Sequence, residues 1–157
     1  MNNPQTLIDT LAGAPEIIIG LVREVPPQYL KRRPSPHKWS AHEHACHLTT
    51  GHAPYIARLD LMLSDPAPRI TPMSPSPEEE AGALLHVDLD EALALYVRER
   101  AYLVERLRQL SDDDWQKTAE HPSFTDYSVW IMFRQTLLHE MQHAYRIEEL
   151  RLKKDWE

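Results

Sequence analysis

The chain has one cysteine, four glycines and no long apolar run among its 157 residues. A single thiol, Cys46, excludes an intrachain disulfide, and a reducing cytoplasm is the simplest compartment for it. Scarce glycine beside many Leu, Ala, Glu and Arg residues points to helix. No run approaches the length of a transmembrane helix, and no basic segment precedes an apolar core at the N-terminus, so no membrane partner is expected. No segment alternates with the period of a strand. A net charge of −7 argues against nucleic acid or an anionic membrane as the main partner. At this length the simplest organisation is one domain over residues 1–157.

Histidine is what the chain has in excess, with nine residues, and proline punctuates it. Residues 3–25 carry Leu7, Ile8, Leu11, Ile17, Ile18, Leu21 and Val22 at helical spacing, and Pro15 predicts a kink or two short helices there. Residues 26–38 read as a proline-rich basic connection. Ser40 with Glu43 spells a capping box for a second helix running to about Leu63, kinked near Gly51 and Pro54. Five prolines between 66 and 77 predict a long crossover loop without helix or strand. A third helix starts at Asp88 and keeps a bundle seam from Leu89 through Arg100 to Leu110. After a second connection over Ser111 to Asp126, the last helix covers roughly residues 127–153. These readings give an all-α fold: a four-helix bundle with a long crossover between the second and third helices.

The last helix is apolar on two sides. Val129, Met132, Thr136, His139, His143, Arg146 and Leu150 form one seam; Trp130, Phe133, Leu137, Met141 and Ala144 form another. The second seam must be covered, either by a second subunit in a homodimer or by the first helix or the proline loop.

His139 and His143 stand four apart on this helix, roughly 6 Å from each other on one face. Two imidazoles so placed can grip one metal ion. A second cluster, His42, His44, His47 and His52, lies on another helix, and a bundle brings ligands from facing helices into one core site. Helical phase leaves the third ligand open: His44 and His52 lie nearer the centre of the Ala41, Ala45, Leu48, Tyr55 stripe, and His47 lies on its edge. Glu140 reads as a general base, a partner of a ligand imidazole, or a solvated helix residue, the last slightly favoured. Tyr55 and Tyr145 read as packing residues, Cys46 as a small buried side chain, Trp39 as the anchor of the second helix, and His37, His42 and His86 as surface residues. His121 is placed over the site opening.

The stretch Lys38-Trp39-Ser40, Glu43, His47-Leu48 and Arg58 resembles the Trp-Ser…Glu…His-Leu…Arg pattern of the DinB-like family of metal-binding four-helix proteins. Leu110 to Trp115, His121-Pro122 and the pair His139/His143 resemble that family's later stretches, so the match runs from about Pro27 to Leu152. The resemblance implies His47, His139 and His143 as metal ligands, around zinc or nickel first and iron or manganese next. It implies a divalent-metal-dependent transferase or hydrolase, acting on a small molecule and in some members on a low-molecular-weight thiol. Catalytic residues and substrate stay unassigned. Two positions depart from the family pattern: Thr50 and His52 replace acidic residues after the first ligand, and Arg146 replaces a Gln after the last. A cation beside a metal opposes binding unless it points away, which keeps a non-catalytic metal- or small-ligand-binding dimer as the second reading. His139-Glu140-x-x-His143 also spells a zincin signature. That third reading is set aside, because only fourteen residues follow His143 and no sheet is in sight to bind peptide.

Overall fold

Six side-chain caps written in the sequence start six of the helices in the computed structural model, which describes residues 3–156. The side chain of Thr50 and the outermost residues of the expected 1–157 domain lie outside the described residues. Asn3 caps α1 (Pro4–Arg23), and Ser40 with Glu43 forms the expected capping box on α3 (Ala41–Thr50). Between them lies one turn, α2 (Pro27–Leu30). Gly51 separates α3 from α4 (His52–Ser64), so the expected kink is a break between two helices. Asp88 caps α6 (Leu89–Arg108), and Ser128 caps α8 (Val129–Leu152). Ser111 opens the short α7 (Asp112–Gln116) within the last connection.

The crossover is not wholly irregular. Ser76 and Glu79 make a capping box on α5 (Pro77–Ala81), followed by a 3-10 turn at Ala83–His86. Pro77 occupies the first helical position, where a missing N–H costs nothing. Gly82 ends α5 at φ 113°, a left-handed conformation in which a side chain would be strained.

Packing makes the four-helix bundle. α1 and α3 each pack against both α6 and α8, and α4 continues α3 along α6. Among the described residues there is no strand, only isolated bridges. The apolar core falls into two main clusters. One gathers Leu7, Leu11, Leu59, Leu103, Met132 and Phe133; the other gathers Ile18, Val22, Ala45, Tyr96, Ala144 and Ile147. Arg100 on α6 and Glu140 on α8 fall between the two clusters in sequence order, and with His52 of α4 they form a buried polar layer.

Arg100 explains why Pro15 does not break α1. Pro15 has no N–H for the carbonyl of Leu11, four residues back. Arg100 Nη1 donates to that carbonyl at 2.9 Å, and α1 runs through as one helix. α1 also corrects the sequence reading of apolar length. It is the one described helix long and apolar enough to cross a membrane. Its apolar residues are interleaved with Asp9, Thr10 and Glu16, which hides the average from a search for an unbroken run. Leu7, Ile8, Leu11, Ala14, Ile18 and Val22 are buried in the bundle.

α1 packs against part of the second seam of α8. Phe133 and Leu137 are buried in the cluster that holds Leu7, Ile8 and Leu11, and Trp115 meets Trp130 and Phe133 edge-on. Of the covers expected from the sequence, the first helix meets Phe133 and Leu137, while Trp130 and Met141 of the same seam stay partly buried.

Candidate metal centre

α3 and α8 face each other, and this places His47 opposite the pair His139/His143. One ring nitrogen from each of the three lies within 4.8 Å of the others. The Nε2 atoms of His139 and His143 are 3.0 Å apart. The rings border a cavity of about 940 Å³, lined also by Trp39, Tyr55, Arg58, His121 and Arg146. Trp39 packs on the His47 ring at 4.7 Å and also touches the rings of His44 and His143, so it anchors the site as well as α3.

Burial keeps these imidazoles neutral. It pushes His143 down to about 2, with the other ring charges of His139, His44 and His47 adding to the effect. Burial lowers His47 and His139 as well. Neutral imidazole is the form that ligates a metal, so the donor set needs no deprotonation near neutrality.

The structure separates the remaining histidines. His44 Nδ1 lies 2.8 Å from His143 Nδ1, so one of those two nitrogens carries the shared proton. Burial and the His47 and Arg146 charges lower His44 to about 4. His52 is not part of the trio: it lines the same cavity, and its Nε2 accepts from Arg100 Nε at 3.2 Å in the polar layer. His42 is buried, with Nε2 3.0 Å from the Leu84 carbonyl oxygen, which corrects the surface reading. It lies one turn before Cys46, whose neighbours in the crossover bury that whole face. His37 and His86 are exposed. Cys46 is fully buried, and burial raises its thiol to about 11, which removes it as a nucleophile. Tyr145 is exposed at 62%, a correction to its packing role; Tyr55 lines the cavity.

Glu140 is the largest correction. It is 3% exposed and is held by both terminal nitrogens of Arg100, Nη1 to Oε2 at 2.9 Å and Nη2 to Oε1. Burial pushes its carboxyl up, and the Arg100 charge and donors oppose that shift. Arg146, the troubling cation, turns to Glu149 at 2.5 Å with half its side chain in solvent. Sequence reasoning missed Glu79, which lines the cavity with Oε1 3.8 Å from His47 Nδ1. Its signal was present: Ser76-x-x-Glu79 is a capping box hidden among prolines.

His52 gives a pH expectation. Its ordinary value of 6.5 falls to about 4, first through burial and then through the Arg100 charge. The unfolded chain therefore takes up the proton first as pH drops. Stability is complete above about pH 6.5 and falls toward about pH 4. Thermal melts at about pH 7.5 and about pH 4.5 should show a lower Tm in acid; an unchanged Tm would refute this burial cost.

A family model of the DinB superfamily matches residues 10–147. The chain belongs to the DinB superfamily. Among solved structures, YfiT from Bacillus subtilis superposes with a TM-score of 0.83 at 22% identity, covering 96% of this chain and 86% of that one. YfiT is described as "a probable metal-dependent hydrolase with an unusual four-helix bundle topology". That likeness establishes the shared fold. No curated protein matches the chain.

Proposed function

We propose that this DinB-superfamily protein is a metal-dependent enzyme of the hydrolase or thiol-dependent transferase class, with His47, His139 and His143 holding one divalent ion. The observation that carries this reading is the convergence of three neutral imidazole nitrogens from two helices within 4.8 Å at a cavity wall. Three imidazoles with a position left for solvent or substrate match a catalytic rather than a structural site. Zinc or nickel suits the donor set first, then iron or manganese. Such an ion supplies Lewis-acid polarisation and lowers the pKa of a nucleophile.

The chain's own residues complete the site. With an ion held at its Nε2, which faces His139, His143 would carry its proton on Nδ1 and donate it to His44 Nδ1. His44 thereby fixes the ring and tautomer of a ligand. Arg100 ties up Glu140, so the zincin assignment of that carboxylate as a free base has no support. The cavity volume suits a small-molecule substrate, and a thiol co-substrate is the version of this proposal that family resemblance favours.

Elemental analysis of untagged protein tests the reading. About one equivalent of a transition metal supports it, and hydrolase and thiol-transfer screens then follow. No metal, even after zinc or nickel is added, overturns it and leaves a helical binding or scaffold protein. The second reading, a protein that has lost its metal because of Arg146, meets its own test. Since Glu149 holds Arg146 at 2.5 Å, the substitution Arg146→Gln should leave metal affinity unchanged in a chelator competition. A marked gain in affinity would restore that reading.

A further inference from the structure

Two arginines line the cavity, and they are not equivalent. Arg146 is neutralised by Glu149. Arg58 forms no ion pair among the described residues; one of its terminal nitrogens donates to the Thr71 carbonyl, and its guanidinium also hydrogen-bonds the Tyr127 hydroxyl. The cavity's two carboxylates do not answer it, because Glu140 is held by Arg100 and Glu79 stands beside His47. The cavity wall thus carries one cation without a counter-charge, and a guanidinium with five N–H donors keeps some free after serving two neutral acceptors.

Aromatic rings surround that cation. Its guanidinium carbon lies 6.0 Å from the Tyr55 ring centroid. His121 packs on Phe124 and on Tyr127, each at 4.6 Å between centroids, and Phe124 and Tyr127 lie within 14° of parallel. Burial raises the Tyr55 and Tyr127 hydroxyls and lowers His121, and the Arg58 charge acts on all three. Phe124 is a large apolar side chain at the cavity wall that stays 48% exposed. The segments that carry these residues are fixed to each other: Ile70 N donates to Glu120 O, and Glu120 N donates to Pro68 O.

We propose that Arg58 and the His121–Phe124–Tyr127 wall form a recognition subsite for a carboxylate borne on a flat apolar body, an aromatic carboxylate in the simplest case. The guanidinium fork fits a carboxylate through charge-assisted hydrogen bonds, and the rings offer a flat partner for the rest of the ligand. This rests on the cavity being the substrate site of the proposed enzyme, but not on the metal being bound.

The test uses 2-naphthoate and its uncharged amide as probes, titrated by calorimetry into the full chain. Wild type should bind the acid about tenfold or more tighter than the amide. His143→Ala should keep that preference, since Arg58 rather than an ion reads the carboxylate. Arg58→Gln should abolish it, and Arg58→Lys should keep part of it. No preference in wild type, or a preference that survives in Arg58→Gln, overturns the subsite. A preference lost in His143→Ala but kept in Arg58→Gln also overturns it, and assigns the carboxylate to a metal, which supports the proposed function. Should the Arg58 variants fail to fold, intermolecular NOEs decide in wild type. Contacts from naphthoate to the Phe124 and Tyr127 rings support the subsite, and their absence overturns it.

Discussion

Replacing Glu140 by alanine is expected to lower the stability of the fold by about 3–5 kcal/mol, the cost of breaking a buried ion pair from one side. Arg100 is 2% exposed and Glu140 3%, so only water entering from the adjoining cavity could take the place of the lost carboxylate. The guanidinium would keep the Leu11 carbonyl and His52 as hydrogen-bond partners and the Tyr96 ring 5.3 Å away, with no counter-charge. Urea denaturation measures the effect as a fall in midpoint. Glu140→Gln should cost less, because an amide oxygen still accepts one of the two donors. Exchanging both partners, Arg100→Met with Glu140→Leu, should recover part of the loss, since apolar residues of similar volume often replace a buried pair at little cost. A loss below about 1 kcal/mol for Glu140→Ala, typical of exposed pairs, would show that the layer is open to solvent.

His143→Ala should abolish stoichiometric metal binding. Its Nε2 is next to that of His139, its Nδ1 is engaged by His44, and two imidazoles alone hold an ion weakly. Zinc at about one hundred times its dissociation constant stabilises a native-state site by about 2.7 kcal/mol. For a chain of this size that corresponds to roughly 5–10 °C in Tm. Wild type should show the shift on zinc addition, and His143→Ala should not. Equal shifts in the two proteins would place the ion elsewhere among the nine histidines.

Much of the fold was legible because its signals are local. Ser40 with Glu43, and Asp88, marked helix starts from a few residues each, and both caps are formed. Ser76 with Glu79 was equally local, yet the prolines around it masked a helix that needs only one turn. The polar layer was not legible, since no local pattern pairs Glu140 with Arg100, forty residues earlier. Glu140 looked solvated because it belongs to neither apolar seam of α8. His42 looked exposed because the segment that buries it, around Leu84, is the crossover taken for a loose loop. The candidate site was half legible. The spacing of His139 and His143 is a property of one helix. Choosing His47 over His44 and His52 depends on how α3 rotates against α8, and only family resemblance supplied that choice.

Pro15 carries an implication for how this chain can change over generations. The proline leaves the Leu11 carbonyl in need of a donor, Arg100 provides it, and Arg100 in turn requires Glu140. Three positions on three helices are therefore physically coupled. A lineage that restores an N–H at position 15 relieves Arg100 of one duty. A lineage that loses Arg100 first inherits both an unanswered carbonyl and a stranded carboxylate. Among relatives, an interior proline at this point of the first helix should travel with the Arg–Glu pair, and losses should occur in that order.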